Sequence, residues 1–320
     1  MSQLLKHCAA LLLALVSAWG HAQTDKPITI VVPTAAGGGN DAMARTVGQK
    51  LGVLLGRPVI VENRAGANGA LAAEYVAKAA PDGNTLMFGY IATHAMNPAL
   101  QKLRYDPVKD FEPVGLVGYS PTLMVVNPAL RARDVKDLLR MLREKPDAYS
   151  VASAGNGTAP HFAAELFKMA TQTAMLHVPY KGSAPAIQDL LGGQIAAVCS
   201  PVGDSFPHLK SGRLRLLATS SDKRSRFSPD VPTFGEQGYK GLEMQEWFGL
   251  FMPKGTPPAV LQRAAQAIRQ AVAMPEVVDA FTRFGFEAEA NTPEEFLRLM
   301  QQDYNNWAQR VKAICFKLEG

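Results

Sequence analysis

Hydrophobic residues along this chain follow two spacings that alternate. Short continuous apolar runs at residues 28–32 and 85–89 are typical of strands buried on both faces of a parallel sheet. Between them, apolar residues recur at helical spacing, which predicts amphipathic helices over 41–55 and 69–79. With a further strand at 59–61, the first hundred residues form a predicted βαβαβ unit.

The same alternation starts again near residue 121. It predicts strands at 122–126, 149–153, 177–180, 195–199, 214–219 and 247–252, and helices at 134–143, 159–170, 184–191, 258–273, 276–283 and 293–312. No Gly/Ser-rich linker separates the two units, so ordered strands must join them. The last helices have no sheet of their own and must pack back on one of the units. We therefore predict an α/β fold of two doubly wound lobes, the first of them discontinuous.

The first 22 residues have the features of a secretory signal peptide. Lys6 is followed by an uncharged run over 8–19, which is shorter than the roughly 20 residues that span a bilayer. Gly20 and Ala22 supply the small residues of a cleavage site, so we expect cleavage before Gln23. A soluble periplasmic mature chain is the expected product.

Composition excludes several classes of protein. Apolar residues make up 47% and charged residues 19% of the chain, so a disordered chain is excluded. The net charge of +5 comes from scattered residues, and we expect no nucleic-acid partner. Three cysteines, and six histidines outside any metal-ligand spacing, predict neither a disulfide framework nor a metal site or cofactor.

A glycine-rich loop follows the first predicted strand and opens the first helix. Glycines allow close approach of backbone N–H groups to a ligand, and a helix N-terminus adds partial positive charge. Such a loop can receive a carboxylate or phosphate without a basic side chain, and Asn40 is the candidate helix cap. A plain strand-to-helix turn is the alternative. The candidate ligand-binding residues here are Thr34, Ala36, Gly37, Gly38, Gly39, Asn40 and Asp41.

A dinucleotide site is a competing interpretation of the same loop. Gly37-x-Gly39-x-x-Ala42 matches the dinucleotide-binding fingerprint, and Glu62 stands where an acid would bind a ribose. The signal peptide argues against this interpretation, because free nicotinamide cofactors are not expected outside the cytoplasm.

A second glycine loop occupies the corresponding place in the second unit. Asn156, Gly157 and Thr158 follow a strand and open a helix, and His161 lies beside them. His161 is a candidate ligand contact, with capping or packing as alternatives. Thr93 offers a candidate ligand-facing hydroxyl after the third strand. Two such helix starts, one in each lobe, predict a ligand held between lobes that close about a hinge.

Trp247 begins the strand that returns to the first lobe. It is either a core residue or an aromatic wall of the predicted cleft.

Catalysis is the alternative to binding. No G-x-S-x-G nucleophile motif occurs. An exported hydrolase would have to use Ser153 or Ser183 with His161.

Nine blocks of sequence, in order along the mature chain, resemble the extracytoplasmic receptors of tripartite tricarboxylate transporters, the Bug (Bordetella uptake gene) family. They are 30–41 (IVVPTAAGGGND), 58–66 (PVIVENRAG), 76–86 (VAKAAPDGNTL), 105–113 (YDPVKDFEP), 153–160 (SAGNGTAP), 177–193 (HVPYKGSAPAIQDLLGG), 207–216 (PHLKSGRLRL), 230–234 (DVPTF) and 247–255 (WFGLFMPKG).

The resemblance implies a type II periplasmic binding-protein fold with two crossing strands, near Val125 and Phe248. Lobe 1 would comprise 23–124 plus 248–320, and lobe 2 would comprise 125–247. It implies a monomer that binds a small organic carboxylate through backbone N–H groups, hydroxyls and waters, and that delivers it to membrane permease subunits. Residues 34–41, Thr93, 156–158 and Trp247 would line the cleft.

One departure from the family pattern bears on the ligand. The family commonly places an Asp after the strand at 195–198, where this chain has Ser200. Loss of that acid would remove a partner for an amine, which favours a ligand without an ammonium group. A sensor that docks on a signalling protein remains an alternative to a transport receptor.

Overall fold

The computed structural model describes residues 26–146 and 148–313. The predicted signal peptide, Cys8 and Cys315 lie outside these residues. The strands are β1 (Ile28–Val32), β2 (Val59–Asn63), β3 (Thr85–Tyr90), β4 (Phe111–Val126), β5 (Ser150–Ser153), β6 (Leu176–Pro179), β7 (Ala197–Pro201), β8 (Arg215–Thr219), β9 (Gln245–Pro253) and β10 (Glu287–Ala288). The helices are α1 (Gly39–Leu55), α2 (Ala70–Ala77), α3 (Asn97–Leu100), α4 (Val135–Glu144), α5 (Ala159–Thr171), α6 (Ser183–Leu191), α7 (Val202–Lys210), α8 (Pro258–Val272), α9 (Pro275–Arg283) and α10 (Pro293–Ala313).

The first sheet has the strand order β2-β1-β3-β9-β4. β1 pairs in parallel with β2 and β3, which confirms the predicted βαβαβ unit. β9 and the first part of β4 extend the sheet in the antiparallel direction, and the short β10 pairs with β4. The carboxyl ends of β1, β2 and β3 therefore lie at one edge, where ligands bind in open α/β sheets.

The second sheet is built around the end of β4. Residues 122–126 of β4 lie between β7 and β8, antiparallel to both. β5 pairs in parallel with β7 on one side and with β6 on the other. The carboxyl ends of β5, β6 and β7 form the second edge, so each lobe has a parallel core of three strands.

Two chain crossings join the sheets. Pro121 still pairs with Gln245 in the first sheet, whereas Thr122 pairs with Pro201 in the second. The return passes Ser220, whose N–H donates to the Thr122 carbonyl (3.0 Å), and whose carbonyl accepts from the N–H of Met244 (2.7 Å). The first change of sheet falls between Pro121 and Thr122, and the second falls between the end of β8 at Thr219 and the start of β9 at Gln245.

Several elements differ from the sequence prediction, among them the short α3 and β10, which it does not contain. β4 begins at Phe111, whereas the predicted strand begins at residue 122. The prediction misses the first part because Pro113, Gly115 and Gly118 interrupt the apolar pattern, at two shifts of register in the pairing of β4 with β9. Helix α7 was not predicted, since Pro207 lies inside it. The predicted start of α10 is present as a capping box, in which Thr292 and Glu295 exchange side chain to N–H hydrogen bonds of 2.9 and 3.2 Å.

Helix α10 belongs to the core of the first lobe. Its Phe296 and Trp307 are fully buried, and Phe296 meets the Trp247 ring edge-on at 5.3 Å. Across the described ranges, no helix combines the length and the hydropathy that a membrane crossing requires.

Candidate functional site

The loop after β1 leads into the N-terminus of α1. Gly37 has a φ of +84°, a conformation that favours glycine, and Gly38 is the N-cap of the helix. The first N–H groups of a helix have no intrahelical partner, so this exposed loop presents donors at the positive end of the helix dipole. Asn40, the predicted cap, is instead the second residue of the helix.

Asp41 holds this loop in shape. Its Oδ2 accepts from the N–H of Gly37 (2.9 Å) and from Nε of Arg45 (2.9 Å), and its Oδ1 accepts from Nδ2 of Asn63 (2.9 Å). Asn63 also donates to the carbonyl of Thr34 at 3.1 Å. Burial raises the pKa of Asp41, but the hydrogen bonds from Arg45, Gly37 and Asn63 outweigh it and lower that pKa. Asp41 therefore positions the loop, and both of its carboxylate oxygens are already used in hydrogen bonds to neighbouring residues.

Gly39 is a packing glycine. A Cβ added there would lie 2.6 Å from the ring of Phe286, so the side chain of Phe286 occupies that space. The acid of the dinucleotide interpretation, Glu62, has its Oε1 2.6 Å from Nη2 of Arg64. A ribose contact would require that ion pair to open.

A third segment at the same edge was missed by sequence reasoning. Residues 66–69 all have positive φ, and two of them, Ala67 (47°) and Asn68 (50°), are not glycine. Nδ2 of Asn68 donates to the Gly157 carbonyl at 3.1 Å, which joins the loop after β2 to the glycine loop of the second lobe. The signal in the sequence is the pair of glycines flanking an asparagine directly after a strand, Gly66-Ala67-Asn68-Gly69.

The glycine loop of the second lobe is held from within. Gly157 has a φ of +74°, and its N–H donates to Nδ1 of His161 at 3.2 Å. That N–H is therefore engaged, which differs from the expectation that it faces a ligand. Thr158 is the N-cap of α5, and its hydroxyl donates to the Gly155 carbonyl (2.7 Å) and makes no capping bond. Asn156 is exposed.

Two histidines stack behind this loop. The rings of His161 and His177 lie 3.7 Å apart at an interplanar angle of 7°. Nε2 of His177 lies 2.8 Å from the Ser153 hydroxyl, so the histidine beside Ser153 is His177, whereas the hydrolase hypothesis names His161. Burial lowers the pKa of His177 to about 4, with a further lowering from His161, so His177 is neutral at pH 7.

His161, Glu165 and His177 together have their ligand atoms within 4.8 Å of one another, a cluster that the sequence spacing does not reveal. The two imidazoles are parallel, so their in-plane lone pairs do not converge on one point. Lys168 Nζ lies 2.7 Å from Glu165 Oε1 and neutralises that carboxylate. The arrangement suits a packed polar cluster better than a metal centre.

The lobes also touch along a second seam. A Cβ added to Gly203 would lie 2.0 Å from the carbonyl oxygen of Phe284, and one added to Gly285 would lie 2.4 Å from the N of Gly203. Nη2 of Arg226 donates to the Phe286 carbonyl at 3.1 Å. This seam and the Asn68–Gly157 bond together hold the two carboxyl edges face to face.

Three predicted site residues lie in the core. Thr93 is fully buried in a short π-helical turn, and its hydroxyl donates to the Tyr90 carbonyl at 2.8 Å instead of facing a ligand. The Ser200 hydroxyl is buried against that of Ser205. Trp247 is also fully buried, and its Nε1 donates to Asp303 at 2.7 Å, which makes it a core residue.

Residues 43–316 match the sequence profile of the tripartite tricarboxylate transporter family receptors. The chain belongs to that family. It is a periplasmic solute-binding protein by family, as the resemblance in its sequence predicts.

Relatives of this receptor match it over most of their length. BugT of Bordetella pertussis is 36% identical over 296 residues, which cover 92% of this chain and 91% of BugT. The structure of MatC from Rhodopseudomonas palustris with bound malate is 33% identical, has a TM-score of 0.79 and covers 89% of this chain and 98% of MatC. The structure of Rpa4515 from R. palustris with adipate is 31% identical, has a TM-score of 0.82 and covers 90% and 97% of the two chains. These similarities confirm the two-lobed binding-protein fold.

Proposed function

We propose that this receptor captures a small organic carboxylate between the carboxyl edges of its two sheets and delivers it to a tripartite tricarboxylate-type permease. The observation that carries the proposal is the loop at residues 34–40, which is exposed at 35–38 and leads into the N-terminus of α1 with its donors. Two relatives of the same fold were solved with malate and with adipate, which are both dicarboxylates.

Backbone groups supply the anion site in this proposal. Gly38 and the first residues of α1 present N–H groups toward a carboxylate, and the helix dipole favours the negative charge. Arg45, the basic side chain that contacts this loop, is paired with Asp41 and does not need to reach the ligand. We expect Asn156 and Thr158 to contribute from the second lobe. Thr93, Ser200 and Trp247 support the site from the core.

A ligand screen tests this proposal. Malate, adipate, succinate and citrate, with amino acids and sugars as other classes, are screened by thermal shift and then by calorimetry. A carboxylate that binds only the native state raises the melting temperature by mass action. Micromolar affinity corresponds to about −8 kcal/mol. Binding of sugars or free amines alone would rule out the carboxylate proposal.

Gly38→Val examines the first loop. Gly38 has a φ of −79°, which any residue adopts, and a Cβ there meets only the Ala35 carbonyl at 3.6 Å. We expect an unchanged melting temperature and at least a tenfold loss of carboxylate affinity, because the side chain fills the space that the anion needs. Ala259→Val, exposed on α8 at the opposite edge of the sheet, is the control and should bind normally. Wild-type affinity in Gly38→Val would show that the carboxylate does not bind at this loop.

Absence of catalysis is part of the proposal. The hydroxyl of Ser153 is buried and bonded within its own loop, and Ser183 is also buried. We expect binding without turnover of the bound carboxylate, detected by chromatography of the ligand after prolonged incubation. Turnover that disappears in Ser153→Ala would instead support the hydrolase.

Export and transport are tested in cells that carry the gene. N-terminal sequencing of the periplasmic fraction should begin at Gln23. Uptake of the bound carboxylate should disappear when the receptor or the permease is deleted. Loss of a signalling response with uptake intact would favour the sensor.

A further inference from the structure

We propose that Asn68 is a latch between the two lobes: its side-chain amide carries one hydrogen bond that couples the loop after β2 to the ligand-binding loop of the second lobe. The inference deepens the proposed function, and its ligand-binding arm rests on that function. Asn68 is a positioning residue in this scheme, because it acts through the Gly157 peptide.

The backbone of Asn68 is held in a conformation that costs free energy. Gly66 and Gly69, with φ of +139° and +86°, flank Ala67 and Asn68 at +47° and +50°. A non-glycine residue in the left-handed region is disfavoured and persists only where its surroundings impose it. Asparagine tolerates this region better than most residues. The strained turn therefore directs the Asn68 side chain toward the Gly157 carbonyl of the second lobe.

Two buried side chains set the direction of the amide. Asn97, at 1% exposure, accepts from Asn68 Nδ2 (3.0 Å) and donates to the Asn68 carbonyl (2.9 Å). The hydroxyl of Tyr90 lies 3.3 Å from both the carbonyl and Oδ1 of Asn68. With Oδ1 facing a donor and one Nδ2 proton used by Asn97, the remaining Nδ2 proton is left to point across the gap.

The acceptor of that proton is equally constrained. The Gly157 carbonyl receives it at 3.1 Å, and the N–H of the same residue is held by His161 at 3.2 Å. Gly157 is thus bonded from lobe 1 on one side and from lobe 2 on the other. Its φ of +74° is accessible to glycine at no cost. The bond from Asn68 therefore ties lobe 1 to a loop that lobe 2 already holds by its own hydrogen bonds.

The hydrogen bond between Asn68 and Gly157 affects both lobe closure and ligand binding. When the lobes are in contact, the amide both stabilises the closed arrangement and fixes the loop that carries Asn156 and Thr158. Without the bond, the closed arrangement is less populated, and a ligand that needs both loops binds more weakly by that fraction.

Asn68→Asp tests the latch with a side chain of the same shape. The carboxylate offers only acceptors to Asn97 Oδ1 and to the Gly157 carbonyl. At pH 7.5 we expect a larger radius of gyration for the ligand-free protein by small-angle X-ray scattering. We also expect at least a tenfold weaker affinity for the best-binding carboxylate of the malate, adipate, succinate and citrate set.

Acid rescue separates a latch from general loss of structure. Once protonated, the introduced carboxyl regains an O–H donor, so the ratio of variant to wild-type Kd should move toward one between pH 7.5 and pH 5. The charged and ionisable groups near the Gly157 loop are His161, His177, Glu165 and Lys168, and dividing by the wild-type Kd at each pH removes the pH effects that both proteins share. A defect from misfolding would not shrink as the pH falls.

Asn68→Gly is the second variant, because glycine accepts the same φ and removes only the side chain. It should expand the ligand-free protein and weaken binding, without any rescue at pH 5. Asn305→Asp, an exposed site on α10, is the matched control and should behave as wild type.

The outcomes separate the two proposals. If wild type binds none of the carboxylates, the proposed function fails, and scattering by the ligand-free variants decides the latch alone. If Asn68→Asp and Asn68→Gly both keep the wild-type radius of gyration and a Kd within twofold, the latch is overturned while the receptor stands.

Discussion

His94 shows at the residue scale how burial controls chemistry in this protein. The ring is fully buried, stacks on Phe251 at 3.8 Å, and has Nδ1 2.8 Å from the Thr93 hydroxyl. Its Nε2 has no hydrogen-bond partner among the described residues. Burial lowers the pKa of His94 to about 3. His94 is therefore a neutral core residue at physiological pH.

Acid sensitivity of folding follows from His94. Between pH 6.5 and pH 3 the unfolded chain binds a proton that folded His94 does not, so stability falls as the pH falls. The loss from this group is about 2 kcal/mol at pH 5. In His94→Phe, urea unfolding at pH 7.5 and pH 5 should show a pH-dependent loss smaller by about that amount. An unchanged pH dependence would mean that folded His94 accepts the proton, and His177 should account for part of the loss that remains.

At the scale of elements, β4 decides how the lobes are related. One strand of 16 residues serves the first sheet up to Pro121 and the second sheet from Thr122. The return crossing is pinned there by Ser220, whose hydroxyl donates to the Met244 carbonyl and accepts from the N–H of Thr122 at 3.2 Å. The hinge is thus a bonded crossing of two segments.

Ser220→Ala removes that hydroxyl. The variant leaves the buried N–H of Thr122 without its side-chain acceptor, so we expect a loss of about 1–3 kcal/mol in the free energy of unfolding. Urea denaturation measures it, with Ser228→Ala, farther along the connection between β8 and β9, as a control that should change stability by less than about 0.5 kcal/mol. Equal stability of Ser220→Ala and wild type would show that water replaces the hydroxyl.

For the whole molecule, close backbone contact between lobes depends on small residues. Gly203 and Gly285 meet at a seam where an added Cβ would come within 2.0 Å of a carbonyl oxygen. The seam accompanies the Asn68–Gly157 bond, so closure requires both regions to fit at once. Packed contacts of this kind favour discrete open and closed states over gradual deformation.

Gly203→Ala should shift the molecule toward the open state. Its Cβ cannot be accommodated without moving the backbone of Phe284, so we expect a larger radius of gyration with bound carboxylate and an affinity lower by about tenfold or more. Gly192→Ala, at a helix end where the nearest atom to an added Cβ is 3.5 Å away, is the matched control. A compact, tightly binding Gly203→Ala would show that the seam does not limit closure.

Much of the fold is local and could be predicted. Apolar runs located β1 with its observed bounds, and the predicted start of α10 at residue 293 coincides with a capping box, because hydrophobic periodicity and helix caps act within a few residues. The first eleven residues of β4 escaped prediction, since prolines and glycines at its bulges conceal a strand whose pairing comes from β9.

The candidate site likewise has a part that local sequence predicts and a part that only tertiary contacts determine. Sequence alone determined the two glycine loops and their places at helix starts, because loop chemistry and a strand-to-helix order are encoded in adjacent residues. Only tertiary structure decided that Thr93, Ser200 and Trp247 face the core, that His177 is the histidine beside Ser153, and that Asn68 meets Gly157. Those outcomes depend on the direction of side chains and on contacts between residues far apart in the chain, which packing sets and no local pattern records.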